Sequence, residues 1–367
     1  IVLWQCVAFF WGEAIGPVAM ACILVLNLGV LVLLMSDVVN HPRAIWQGLV
    51  IFAPVLTLLA SMTVVFRFSP AAEGAYLRSS IARFLSEPDV IYINSTWHNV
   101  LDIDKAGGVF LNGNTASLFF AVWCLLYLWA GSRTRSPWFL ATAVVSGVAV
   151  AATGSKSPLI IALIVLMLIG GIVAFARRSV VGRIAVAVGV AVAGVAIWFV
   201  STHQVSVVQN YFRTFDDRLR LWNYAGQLFI EHGFLGLGFN NWSPRLKEDW
   251  GLVFPGRALH DFPPHNFAIE AWTQGGIILG ILVVAAAAVP VWWATVALWD
   301  SARGRAWPET MAASAIFAAA LWIPIHGALD TTQFYGDVHL IAATALVVTA
   351  AWDAKNRARS RREADVL

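Results

Sequence analysis

Charge is scarce in this sequence. Aspartate, glutamate, lysine and arginine make up 12% of it while 59% is hydrophobic, and a soluble domain carries roughly twice that charge. The shortage argues against a water-soluble globular protein, which needs polar loops and amphipathic faces throughout. Cysteine is also rare. Cys6, Cys22 and Cys124 all lie in apolar runs, so neither a disulfide framework nor a metal site is suggested. A net charge of +3 says little about partners, and no nucleic acid is expected. No internal repeat and no cleavable signal pattern are visible. The chain opens at Ile1 inside an apolar run, which predicts further residues ahead of it.

What is present is a succession of apolar runs near the length that spans a hydrocarbon core, about 20 residues. Spans are expected near 1–11 (partial), 15–35, 45–66, 112–130, 137–153, 157–176, 180–200, 266–298, 310–326 and 338–353. The expected fold is therefore all-α, a polytopic membrane helix bundle of about 9–10 spans forming one integral membrane domain over 1–367. Tryptophan is abundant, at 18 residues, as suits indoles anchored at membrane interfaces. Span interiors hold almost no ionisable residues; Arg183, Glu270, His326 and His339 lie near span ends. That disfavours an ion-coupled transporter, which needs charges or broken helices near the midplane.

Lys/Arg bias sets the expected orientation. One set of alternate connections holds Arg43, Arg133 and Arg135, Arg177, Arg178 and Arg183, and Arg303 and Arg305; a basic tail over 354–367 joins them. These are expected to be cytoplasmic. The opposite set is expected to face outward. It contains a first outer loop, 67–111, a second, 201–265, and short turns near 154–156 and 327–337.

The second outer loop carries the most polar information. An amphipathic helix is expected near 212–232. At about 100° per residue, Phe215, Leu219, Trp222, Gly226 and Phe229 fall on one stripe, and Asp216, Arg220, Asn223 and Gln227 on the other. Arg218 leaves the polar face and shares the flank of Trp222, Ala225 and Phe229. Its stem either snorkels along apolar surface or its head serves an anion site. The following GFLGLGFNNW lacks a preceding strand, so it is not a dinucleotide fingerprint; close backbone packing is the expected reason for its glycines. Then Pro263 and Pro264 stiffen the chain before a membrane helix. Asn266 is a natural helix cap. His265 is either an interfacial histidine with a hydrogen-bonded ring or a base, since an imidazole can accept a proton near neutral pH.

The order TGSKS, RLRLW, LGLGFNNW, then HN with glycines ten residues later resembles the bacterial O-antigen ligase and O-antigen polymerase family, most strongly over 151–280. The resemblance implies a membrane glycosyltransferase in the cytoplasmic (inner) membrane, with its active site facing the periplasm or exterior and its C-terminus cytoplasmic. The implied donor is a glycan on a polyprenyl (undecaprenyl) diphosphate carrier; the acceptor is a glycan or the lipid core of lipopolysaccharide, among membrane lipids. No cofactor and no metal are implied. The family's catalytic histidine matches His265 and its arginine before the Trp matches Arg218. Its second arginine falls on Lys156, which keeps the charge but loses the bidentate fork that suits phosphate. A further family Asn matches Asn114. The family expects a small residue or Tyr where Leu279 stands. Asn266, Arg220, His326 and Asp330 are possible supporting residues, the last two either lining the same cavity or capping a span. Ligase and polymerase share this donor chemistry, so both stay open, as do a protein-glycosylating relative and a non-catalytic envelope transporter. Asp102 and Asp104 form a D-x-D that a divalent ion on a diphosphate would use, although an ordinary solvated loop explains it too. His98 and His260 are expected to be loop histidines.

Overall fold

A computed structural model of the chain describes residues 22, 25–33, 42–86, 88, 90–93, 95–99, 105–110, 112–202, 206–259, 262–304, 307–330 and 340–366. The expected spans 1–11 and, in large part, 15–35 lie outside these residues, as do Asp102, Asp104, His260 and His339. Among the described residues, five helices are long and apolar enough to cross a membrane: Ile45–Phe68, Gly113–Thr134, Ser157–Ala176, Phe267–Arg303 and Trp307–Leu329. Helices Pro137–Ala152 and Val180–Thr202 are also apolar. The fold is an all-α polytopic membrane bundle. Many of its apolar side chains face outward, Ile51 at 75% exposure and Leu159 at 77%. Such a surface is costly in water and natural in lipid.

The chain forms two compact units. One comprises 31–177, 290–326 and 342–367, the other 1–30, 178–289 and 327–341. In the first, α1 (Pro42–Phe68), α4 (Gly113–Thr134), α5 (Pro137–Ala152) and α6 (Ser157–Ala176) carry the apolar length. Between α1 and α4 lie the short α2 (Pro70–Leu77) and α3 (Ser80–Ser86) and a two-stranded antiparallel hairpin, β1 (Val90–Ile93) with β2 (Thr96–Asn99). Helix α4 is apolar all round and largely buried, as a central helix must be. The Tyr127 hydroxyl donates to the Leu49 carbonyl of α1 at 2.6 Å, and Trp123 and Trp129 meet Phe52 and Trp46 with ring centroids 4.5 and 5.3 Å apart. The α4–α5 turn closes on Arg135, in the left-handed region at φ 55°, with Pro137 opening α5, where a missing N–H costs nothing.

Two expected cytoplasmic connections also meet in this unit. Arg177 stacks over Trp307 at 4.3 Å and donates to the Ala302 carbonyl at 3.3 Å. Arg133 lies 3.7 Å from Asp353, on the C-terminal helix α13 (Ile341–Val366). The basic tail is thus helical, continuous with the apolar stretch before it.

In the second unit, α7 (Val180–Thr202) precedes α8 (Ser206–His232), the short α9 (Trp242–Glu248) and α10 (Trp250–Val253), and the start of α11 (Phe267–Arg303). The face of α8 that packs is Leu221, Tyr224, Ala225 and Leu228, against Trp242, Leu246, Trp250, Phe254 and Trp272. It differs from the apolar stripe read from spacing: Leu219, Gly226 and Phe229 are exposed, and Trp222 is half-buried. The helix therefore has three faces, one packed, one apolar but uncovered, and one polar. Helix α12 (Trp307–Leu329) ends just before Asp330.

Candidate functional site

Helix α11 is not continuous. Gly275 (φ −140°, ψ 21°) and Gly276 (φ 73°, ψ −173°) interrupt it. The interruption is filled by the Gly-rich loop after α8. The Leu237 and Gly238 N–H groups donate to the Thr273 carbonyl at 2.7 and 3.1 Å, and Ile277 donates to the carbonyls of Gly233 and Phe234, both at 3.3 Å. A Cβ at Gly276 would strike the Phe234 carbonyl, and one at Gly236 (φ 73°) the Trp272 carbonyl. The glycines are there for close backbone approach. Leu279 is fully buried beside this break, with Phe239, Phe267, Ala271 and Val283.

The Pro-Pro-His-Asn segment is fastened by tryptophans. The Trp242 indole donates to the Phe262 carbonyl at 2.8 Å, and the Trp222 indole of α8 donates to the Pro264 carbonyl at 3.0 Å. Asn266 caps α11: its Oδ1 accepts from the Ala268 and Ile269 N–H groups at 2.9 and 3.2 Å, and its Nδ2 donates to the Ala328 carbonyl at 3.2 Å. The cap therefore also ties the head of α11 to the end of α12.

That tie brings a carboxylate to His265. Its Nδ1 lies 3.5 Å from Asp330 Oδ1, with the histidine side chain 23% exposed and the aspartate 9%. His265 adopts φ 50°, a left-handed conformation that histidine tolerates better than most residues. Nδ1 is buried and, at that distance from Asp330, makes no hydrogen bond. The carboxylate thus lies beside the ring without a hydrogen bond to Nδ1.

Arg218 is half-buried on α8. It sits one turn before Trp222, on the same flank, and so on the side of the helix that holds the Pro264 carbonyl. Arg220 points away and pairs with Asp216 at 3.0 Å on the exposed face. Tyr224 donates to Asp249 Oδ2 at 2.7 Å. Burial first, and the Asp249 carboxylate second, push its phenol well above the usual range, so the hydroxyl stays a donor and holds α8 to the α9–α10 junction.

In the other unit, Lys156 is exposed at the N-cap of α6 and makes no side-chain cap. The neighbouring Ser155 hydroxyl donates to Asn114 Oδ1 at 2.8 Å, and Lys105 Nζ donates to the same oxygen at 3.2 Å. The TGSKS turn and Asn114 are thus brought together. Lys105 was missed by sequence reasoning; a lysine in a polar loop gives no signal of its own. His326 is buried in α12, and His98 lies on β2.

Helices of membrane-crossing length and composition define a multi-pass membrane protein. Residues 141–284 match the sequence model of the O-antigen ligase family, and over that stretch the chain is similar to it. The match contains Lys156, Arg218, His265 and the α11 break; Asp330 lies beyond it. It supports O-antigen ligase-like glycosyltransferase activity in general. A comparison with curated proteins found no match.

Proposed function

We propose that this protein transfers a glycan from a polyprenyl-diphosphate carrier to an acceptor hydroxyl at the outer face of the cytoplasmic membrane, with His265 as base. The observation that carries the reading is the approach of Asp330 to His265, 3.5 Å, at the mouth of a membrane helix; His265 lies within the family match and Asp330 beyond it. The acceptor O–H gives its proton to His265 Nε2 while its oxygen attacks the anomeric carbon. The C–O bond to the diphosphate breaks, and the polyprenyl diphosphate departs with the electron pair, inverting the anomeric centre. Asp330 orients the ring and offsets the charge of the imidazolium that forms. A diphosphate leaving group needs charge neutralisation more than protonation, and Arg218, on the Trp222 flank of α8, takes that role. Lys156 takes the second cationic role on the strength of the resemblance. General-base help is worth about 10²–10⁴-fold, so positioning and charge stabilisation supply the rest.

The outward orientation is supported by the pairing of the arginine-bearing connections with one another: Arg177 with the 302–310 turn, and Arg133 with the tail helix.

Purified protein given a lipid-linked repeat unit tests the reading. His265→Ala and His265→Gly should both insert and bind donor yet lose transfer. The glycine variant relieves the left-handed backbone, so it separates lost chemistry from lost fold. Near-normal turnover by either variant would sink the assignment. A ladder of products without added acceptor identifies a polymerase; a single transfer that requires acceptor identifies a ligase.

A further inference from the structure

Helices α1, α4 and α13 together form a cleft of about 200 Å³. Its apolar wall is Ile45, Trp46, Trp129 and Ala350; its polar wall includes Arg133, Asp353 and Arg357. Arg357 Nε sits 2.9 and 2.8 Å from the two Asp353 oxygens, and Arg133 lies 3.7 Å from the same carboxylate. Two guanidinium groups therefore approach one carboxylate, and the lining carries two cationic side chains and one anionic. Asp353 holds both arginines at the cleft while keeping only 15% of its side chain exposed; Arg133 and Arg357 keep 28% and 47%. The indoles of Trp46 and Trp129 lie 5.3 Å apart, and Val50, one turn on from Trp46 along the same face, is 58% exposed.

We propose that this cleft binds an anionic phospholipid from the membrane leaflet. Its headgroup phosphate meets Arg133 and Arg357, and its glycerol region packs on Trp46, which is backed by the buried Trp129. One acyl chain runs down α1 past Val50. The chemistry is specific on three counts. Guanidinium groups donate paired N–H bonds to phosphate oxygens. Indoles favour the level of the headgroups. Basic pockets between membrane helices at the end rich in Lys and Arg select anionic headgroups over zwitterionic ones. On the proposed topology this end faces the cytoplasm; the proposal does not depend on the glycan-transfer reading.

The test uses the full chain in mild detergent, with bound lipid counted by native mass spectrometry. Phosphatidylglycerol, phosphatidylcholine and inorganic phosphate are supplied separately. Expected is retention of one phosphatidylglycerol and no phosphatidylcholine. Retention should fall about tenfold or more in Arg133→Gln/Arg357→Gln, and partly in Arg357→Lys, which keeps the charge without the fork. Thermal unfolding of each variant without lipid establishes that the fold is intact. If Arg133→Gln unfolds, the exposed Arg357→Gln alone must still lower retention. Equal retention of the two lipids, or unchanged retention by the folded variants, would overturn the proposal. So would protection by inorganic phosphate with no retained lipid, which would make the cleft a soluble-phosphate site.

Discussion

His265 owes its place to residues far from it in sequence. Pro263 and Pro264 were legible as a stiff lead-in, and Asn266 as a cap. Asp330 was legible only as a residue one turn beyond His326, because the tie through the Ala328 carbonyl is a tertiary contact with no local signal. The same holds for Trp222, whose spacing placed it on an apolar stripe while its indole N–H does polar work on the Pro264 carbonyl. If Asp330 orients the base, Asp330→Asn should keep donor affinity and the fold while lowering turnover by part of the roughly 10²–10⁴-fold that a general base contributes. Steady-state kinetics should then show kcat falling with KM for the lipid-linked donor unchanged. A rise in KM alone would move Asp330 out of the proton-transfer step.

Among elements, helices were the most legible and their faces the least. In water an apolar stripe must be buried, so spacing identifies the packed side. In a membrane protein lipid is as good a partner as another helix, and α8 accordingly packs through Leu221, Tyr224 and Leu228 while Phe229 stays uncovered. The hairpin over 90–99 also went unread, although Val90-Ile91-Tyr92-Ile93 is rich in β-formers. The break in α11 was hidden because paired glycines in a membrane helix look ordinary from sequence. Gly276→Ala should be expensive: about 1–2 kcal/mol for a left-handed alanine, plus about 1–3 kcal/mol of overpacking against the loop. The expected result is a lowered melting temperature and a poor yield of folded protein. Gly171→Ala, where a Cβ meets nothing within 4 Å, is the matched control and should be near neutral. Equal behaviour of the two variants would remove the loop–helix contact from the account of the fold.

At the scale of the whole molecule, the proposed topology makes a pattern that labelling can check. In a background with Cys6, Cys22 and Cys124 replaced, single cysteines at Lys156 and His232 should react with a membrane-impermeant maleimide from the outer side. Cysteines at Arg178 and Arg359 should react only after the membrane is opened. Labelling of the cysteines at Arg178 and Arg359 alone from the outer side would reverse the orientation, and labelling of all four from one side would break the alternation of spans. Charge bias made this pattern readable because arginines are costly to translocate and so mark one side.

The broken helix has a consequence for how the chain is made. At the break the Thr273 carbonyl and the Ile277 amide find their partners in residues 233–238. Synthesis runs from the N-terminus, so those partners leave the ribosome before α11 does. The segment arriving second is the one with unsatisfied backbone, and its complement is already waiting. The order in which the gene writes these two segments thus spares the membrane a helix with open hydrogen bonds.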